Sequence, residues 1–339
     1  MTETKTARRR IFSGIKPSGH LTLGNYLGAV RRWVQEDQHR ADALFCVVDL
    51  HALTVEHDPA RVRRLTRQAA TLLLASGLDP EQCTLFVQSQ VDEHARLSYL
   101  MECTATDGEM RRMIQYKEKA AREQARGRSV RLSLLTYPAL MAADILVYGT
   151  HEVPVGEDQT QHVELARDLA QRFNQRYGPV FTVPRATHPR VSARVMDLQD
   201  PTSKMGKSHA ETSGIVYLLD EPDAVRKKIM RAVTDSGTEV WYDRTEQPGV
   251  ANLLDVLASC TDGKPEVLAE EFSSYGALKR ATAEAVLELL RPLQARHAEL
   301  CADSSYMDGV LRAGAERARG LARPRVDEAY AAVGLLPPA

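Results

Sequence analysis

The chain has 339 residues, 43% of them hydrophobic and 26% charged, with no excess of glycine or proline, which excludes a long disordered or fibrous tract. That length suits one large α/β domain with a smaller partner, or two domains of ordinary size. A net charge of −1 excludes a general electrostatic grip on a polyanion, so any such partner must be met locally, through Arg122–Arg131, through Arg226-Lys227-Lys228 with Arg231, or through Arg312–Arg325.

No apolar run reaches the roughly 18 residues of a membrane span, and the polar, basic Met1–Arg10 has no apolar stretch of leader length behind it. A cytoplasmic setting without membrane contact is expected. The cysteines (Cys46, Cys83, Cys103, Cys260 and Cys301) are odd in number, far apart and without a C-x-x-C pair. They read as reduced and mostly buried, and no metal site is expected.

In chain order, Arg10–Ile15, Ala43–Val48 and Thr84–Val87 are short apolar runs bounded by turn formers, the pattern of buried parallel strands. Helical patterns lie between them, over Leu27–Glu36 and over Pro59–Ser76, the second opened by Asp58 as cap and Pro59 in the first turn. This order predicts a Rossmann-like doubly wound parallel sheet with its ligand site at the carboxyl ends of the strands, near Gly14–Asn25 and Asp49–His51.

From about Glu93 to Arg190 the pattern turns mostly helical, which predicts an insertion in the sheet domain. Within it Tyr137–Tyr148 reads as one helix with Pro138 in its first turn, and Gln159–Gln175 as another, ended by Gly178. Gly214–Leu219 reads as one more strand-like run. The stretches Pro222–Thr234, Val250–Ser259 and Ala277–His297 are amphipathic helices. The expected organisation is a flexible tail over residues 1–10, a sheet domain over 11–210 with its insertion at about 93–190, and a helical domain over 211–339.

Two glycine-containing clusters carry the chemistry. The run Phe12-Ser-Gly-Ile-Lys-Pro-Ser-Gly-His-Leu-Thr-Leu-Gly-Asn-Tyr26 leaves a strand, turns on Gly14, Pro17, Ser18 and Gly19, and enters a helix at Gly24-Asn25. Backbone N–H groups at such a helix start favour an anion, and glycines let a phosphate approach; an ordinary Gly-rich turn is the alternative. In Pro201-Thr-Ser-Lys-Met-Gly-Lys-Ser208, two lysines share a Pro-, Gly- and Ser-rich loop and suit the charge of a leaving pyrophosphate, or else make a plain basic loop.

Taken together the clusters resemble the HIGH and KMSKS elements of class I aminoacyl-tRNA synthetases, with Thr22-Leu-Gly-Asn25 in the first place and Lys204-Met-Gly-Lys-Ser208 in the second. Asp49-x-His51, Arg112-Met-x-x-x-Lys-Glu-Lys119, Leu135-Thr-Tyr-Pro-x-Leu-Met-Ala-Ala-Asp-Ile145 and Val153-Pro-Val-Gly-Glu-Asp-Gln159 look like the bacterial tryptophanyl branch. The resemblance runs from about Phe12 to Arg325.

It implies a tryptophan–tRNA ligase that takes L-tryptophan, ATP with Mg²⁺, and tRNA(Trp), and acts as a homodimer. A tyrosyl enzyme, or a paralogue that binds without charging, are the alternatives. By the same resemblance Asp144 accepts the indole N–H. Tyr137, Met141, Ile145, Val153 and Val155 wall the ring, and Phe12, Gly14, His51 and Gln159 complete the amino-acid pocket. The nucleotide falls to Lys16, Pro17, Ser18, Thr22, Gly24, Asn25, to Gly156, Glu157 and Asp158 at the ribose, to the Val195 backbone at adenine, and to Lys204, Met205, Gly206, Lys207 and Ser208. Lys117 matches a lysine that reaches the phosphates.

Two positions depart from the family pattern. Gly206 stands where the family more often has serine. Lys16 stands where it usually has a glutamine bridging the two substrate sites, and a lysine cannot supply the amide acceptor. An active but inhibitor-resistant auxiliary copy is the expectation drawn from Lys16, with neutral drift as its alternative.

Overall fold

The computed structural model describes residues 9–188, 195–206 and 213–336. Its centre is a parallel sheet of five strands in the order β3-β2-β1-β4-β5, formed by β1 (Arg10–Ile15), β2 (Asp42–Val47), β3 (Thr84–Val87), β4 (Glu152–Pro154) and β5 (Arg185–Thr187). The first three are the strands expected from their apolar runs, paired in parallel from Arg10 opposite Asp42 through Leu44 opposite Thr84. The chain reverses its direction of winding between β2 and β4, on either side of β1, and a doubly wound sheet opens its ligand crevice at such a switch point.

The helical run after β1 is less regular than its sequence suggests. It starts with α1 (Leu23–Asn25) and ends with α2 (Gln38–Arg40), and between them lie two π-turns, Tyr26–Val30 and Trp33–Asp37. Such turns recur at functional sites. The next helix, α3 (Pro59–Ala75), is opened as expected by Asp58, which accepts from Ala60 N and Arg61 N, and by Pro59 at its first position.

After β3 come α4 (Glu93–Thr104), α5 (Asp107–Arg112), α6 (Ile114–Ala125) and α7 (Leu132–Leu146). Here one expectation fails. The helix expected at Tyr137–Tyr148 starts at Leu132, so Pro138 lies in its interior and not in its first turn. The missing N–H costs helix stability, but Leu134, Pro138, Ala139 and Ala142–Leu146 are all buried, and tertiary packing carries the element. α8 (Thr160–Tyr177) ends on Gly178 at φ 103°, a conformation suited to glycine.

Gly214–Leu219 is not a strand of the sheet. Its described residues pair antiparallel with the loop after β1 through one bridge, Thr22 with Tyr217, flanked by Leu23 N→Val216 O at 2.8 Å and Leu218 N→Leu21 O at 2.9 Å. Beyond it follow α9 (Pro222–Met230), α10 (Pro248–Thr261), α11 (Pro265–Ala269), α12 (Tyr275–Ala302) and α13 (Ser304–Ala332).

Two buried clusters flank the sheet. One joins Phe45, Val47 and Leu85 to α3 and to apolar residues of α9, α10 and α12. The other joins Phe12, Leu44 and Phe86 to α4, α7, α8 and α13. Among the described residues no helix is long and apolar enough to cross a membrane. All five cysteines are free, but only Cys46 and Cys83 are buried, Cys260 is half-buried, and Cys103 and Cys301 are exposed, so the expectation of mostly buried thiols is corrected; the last two sit on polar helical stretches.

α13 returns to the sheet through Gly314, where an added Cβ would lie 1.8 Å from the Leu85 carbonyl oxygen. Gly314→Ala must push the helix off β3. It is expected to destabilise the protein by about 1–3 kcal/mol in urea unfolding, the usual cost of overpacking. Gly320→Ala, on the same helix with nothing within 4 Å, is the control and should be neutral or gain up to about 1 kcal/mol from helix propensity. Equal behaviour of the two would contradict the packing argument.

Candidate active site

A cavity of about 360 Å³ opens where β1 and β4 end. Gly14 and Lys16 come from the first of these edges, Val153, Val155 and Gly156 from the second, and His51 from the turn after β2. A side chain at Gly14 would put its Cβ 2.9 Å from Val48 Cγ1, so the approach of these two segments depends on glycine. The wall opposite is α7, which presents Tyr137, Met141, Asp144 and Ile145 one helical turn apart. Phe12 and Gln159 complete the set of expected residues that the structure brings together here.

Asp144 stands in this wall with 1% of its surface exposed. Its Oδ2 accepts from His51 Nε2 at 2.8 Å, and its Oδ1 accepts from Gln88 Nε2 at 2.7 Å and His94 Nδ1 at 2.6 Å. Burial works to raise the carboxyl, but the bond from His51 and the pull of His94 outweigh it and hold the group well below the usual carboxylate range. The side chain is therefore an ionised acceptor at neutral pH. Tyr137, whose phenol is pushed up by burial, meets His162 Nε2 at 2.8 Å. His162 is pushed down to about 4 by burial and by the charge of Lys119.

Two lysines, Lys16 and Lys119, also line the cavity. Lys16 Nζ donates to Thr54 Oγ1 at 3.3 Å, and its amine is lowered to about 8 by burial and by Lys119. Lys119 donates to Gln115 Oε1 at 2.9 Å and lies 5.0 Å over the Tyr137 ring, its amine lowered by burial. Gln115 in turn donates to the Asp158 carbonyl at 3.1 Å, tying α6 to the short turn Glu157–Gln159.

The two sequence clusters meet. Thr22 caps α1, accepting from Asn25 N at 3.1 Å while Asn25 Oδ1 accepts from Thr22 N at 3.1 Å, a reciprocal capping box. At Gly24 a Cβ would lie 3.1 Å from the Met205 carbonyl oxygen, so the lysine loop rests on the helix start. Lys204 Nζ is 4.0 Å from Asp158 Oδ1 and 3.8 Å from where a Gly156 Cβ would stand. Val195 is buried and its carbonyl accepts from Met205 N at 3.0 Å.

Pro17 is buried and Ser18 exposed, and neither lines the cavity, nor do Thr22, Gly24, Asn25, Asp158, Val195, Lys204, Met205 or Gly206. Glu157 is described by its backbone alone. Lys207 and Ser208 lie outside the described residues. Lys117 is exposed, and the lysine of its motif that reaches the cavity is Lys119. Residues two apart on a helix point to opposite sides, so only one of the pair can face inward.

Sequence reasoning also passed over Ser13, Ala29, Trp33, Val48, Thr54, Gln115 and Pro154 in the lining, and Gln88 and His94 behind Asp144. A histidine on the buried side of α4 and a glutamine closing β3 were the available signals, since both are polar groups that need partners in an apolar setting.

Comparison with known proteins agrees with this arrangement. The family model of class I tRNA synthetases for tryptophan and tyrosine matches residues 4–291. Tryptophan–tRNA ligase 1 of Streptomyces avermitilis is 77% identical over 97% of this chain and 99% of its own. The tryptophanyl-tRNA synthetase of Mycoplasma pneumoniae superposes with a TM-score of 0.90 at 36% identity, over 97% of this chain and 98% of its own. That of Campylobacter jejuni, solved with ADP and tryptophan, superposes with a TM-score of 0.82 at 30% identity, over 96% of this chain and 100% of its own. The family model and the full-length relatives agree, and the chain belongs to the class I tRNA synthetases, in their tryptophanyl branch.

Proposed function

We infer from this cavity how the chain works as a tryptophan–tRNA ligase. Tryptophan lies with its indole against Phe12, Met141, Ile145, Val153 and Val155, its ring N–H donated to Asp144, and its amino end toward Tyr137 and Gln159. ATP lies across the helix start at Gly24-Asn25 with its ribose at Gly156–Asp158, its adenine near the Val195 backbone, and its phosphates toward Lys16, Lys119, Lys204 and Lys207. The tryptophan carboxylate oxygen attacks the α-phosphorus, the bond to the bridging oxygen breaks, and pyrophosphate leaves with that electron pair. In the second step a terminal ribose hydroxyl of tRNA(Trp) attacks the adenylate carbonyl and AMP departs.

No protein nucleophile is required, and the rate comes from holding two bound substrates in line and from cations at the developing charge. Among the described residues no group of three or more His, Cys, Asp or Glu side chains could hold a metal ion. Mg²⁺ is proposed to arrive with ATP, on its phosphates.

The observation that carries this reading is Asp144, an ionised acceptor buried in the wall of a largely apolar cavity that Lys16 and Lys119 also line. ATP–pyrophosphate exchange with single amino acids tests it: tryptophan should support exchange and tyrosine should not. Exchange with tyrosine alone would overturn it.

Residues 211–339 are proposed to meet the tRNA, aided by the basic stretches Arg226–Arg231 and Arg312–Arg325, with the cytoplasm as the setting. A homodimer is proposed as well. Tyr99, Ile114 and Leu132, exposed by 66%, 59% and 74%, support it, as large apolar side chains on helices α4, α6 and α7, of which α4 and α6 each pack on α7.

Lys16 yields a further expectation. Lowered to about 8, its amine is charged at neutral pH and loses that charge as pH rises through about 8, not near 10.5. Because kcat/KM reports the free enzyme, kcat/KM for ATP should fall on the alkaline side, and Lys16→Gln should remove that limb. The same variant restores an amide acceptor and should bind a neutral tryptophan-like inhibitor about tenfold or more tighter, about 1.4 kcal/mol, which is the outcome expected if the chain is an inhibitor-resistant auxiliary copy. Unchanged pH profiles and inhibition constants would reject both points.

A further inference from the structure

Behind the cavity, Asp144 is held by a chain of groups that do not line it. Gln88 and His94 are both 0% exposed, and neither lines the cavity, whereas His51 does. The orientation of Gln88 is fixed because its Oε1 accepts from Leu50 N at 3.0 Å, leaving its Nε2 for Asp144. His94 is fixed at both nitrogens: Nδ1 meets Asp144 Oδ1 at 2.6 Å, and Nε2 meets the Tyr148 hydroxyl at 2.7 Å.

The direction of the bond to Asp144 follows from chemistry. An ionised carboxylate only accepts, so Nδ1–H donates. Burial pushes the Tyr148 phenol well above its ordinary range, so it keeps its proton at neutral pH, and its hydroxyl, which can donate or accept, partners Nε2. Tyr148 is itself clamped, its ring stacked on Phe12 at 5.7 Å and edge-on to Phe86 at 5.7 Å.

A carboxylate has about four acceptor directions, two on each oxygen. Gln88 and His94 take both directions on Oδ1 from behind, and His51 takes one on Oδ2 from the cavity side. Among the described donors, one direction stays open, on the oxygen nearer the cavity. We propose that His94, held by Tyr148, is a positioning residue for substrate selection: by filling Oδ1 it turns the last acceptor direction of Asp144 toward the ring N–H of an aromatic amino acid.

The proposal rests on the reading that Asp144 receives the indole N–H. Without the His94 donor, Oδ1 keeps an unmatched lone pair in an apolar interior, and of the described donors only Gln88 and His51 are left to hold the carboxylate. A substrate with a ring N–H then loses its advantage over one of the same shape without it, because discrimination of this kind comes from a fixed, otherwise unpaired polar group.

The test uses the whole protein in ATP–pyrophosphate exchange, with tryptophan and with its sulfur isostere β-(benzothien-3-yl)alanine, which has no ring N–H. The readout is the ratio of the two kcat/KM values. His94→Ala is expected to lower that ratio about tenfold or more, through the KM for tryptophan, with the KM for ATP within about twofold. His94→Asn keeps an N–H near the Nδ1 position and should recover about threefold or more of the loss, which a merely space-filling role would not produce. Tyr148→Phe keeps every ring contact, deletes only the hydroxyl, and should lower the ratio about threefold, which decides the matter even where His94→Ala does not fold. Asp144→Ala separates the layers. If it leaves the ratio intact, the reading of Asp144 falls and this proposal with it. If it abolishes the ratio while His94→Ala and Tyr148→Phe leave it unchanged, the reading of Asp144 stands and the proposal is overturned.

Discussion

Asp144→Ala is expected to lower kcat/KM for tryptophan by about 2–4 kcal/mol, roughly 30- to 900-fold, while barely altering the KM for ATP. The side chain is buried and accepts from three protein donors, so its removal both deletes the acceptor for the indole and leaves His51, Gln88 and His94 without their common partner. Unpaired buried donors cost free energy in the folded state too, and a lower unfolding midpoint should accompany the kinetic loss. The two effects separate by substrate. Steady-state exchange kinetics with each substrate varied in turn checks this, and equal losses for tryptophan and ATP would mean collapse of the cavity, contradicting a selective role.

Replacing Lys204 or Lys207 with alanine should lower kcat for adenylate formation about tenfold or more, while tryptophan binding in the absence of ATP persists. Lys204 is placed for such a part: its side chain is 66% exposed, its ammonium 4.0 Å from Asp158, and the Met205 backbone beside it rests on Gly24. Among the described residues its side chain is held by an exposed pair worth about 1 kcal/mol at most, so it can leave Asp158 for a phosphate at little cost. A cation that engages only as pyrophosphate charge develops raises kcat without changing how tryptophan binds. Single-turnover exchange together with tryptophan titration checks the split, and an unaltered exchange rate in either variant would contradict it.

The legible part of the fold was the part with strong periodicity. β1, β2 and β3 are continuous apolar runs, and α3 carries a cap, an N-terminal proline and a long amphipathic pattern, so their place in a parallel sheet could be read directly. β4 and β5 could not. Each has three residues, and Glu152 and Arg185, which pair with one another at 2.6 Å, give neither segment an apolar signature. The start of α7 was misplaced because a proline rule that holds for isolated helices is overridden where one face is wholly buried. Gly214–Leu219 has the composition of a strand but spends it on a single bridge to the loop after β1.

The site was legible by its residue types more than by its geometry. A carboxylate in the apolar run of α7 had to find donors, and the sequence could say that much without naming them. Gln88, His94 and Tyr148 come from three separate segments, and only the folded chain brings them together. Lys117 and Lys119 show the same limit at shorter range, since a motif containing both gives no sign of which face of α6 meets the cavity.

The most direct measurement of the whole account is aminoacylation of tRNA by the purified protein with tryptophan and, separately, with tyrosine. Trp-tRNA formation is expected that requires ATP, releases AMP and pyrophosphate, and is absent with tyrosine. Charging with tyrosine, or tryptophan binding with no Trp-tRNA formed, would contradict it.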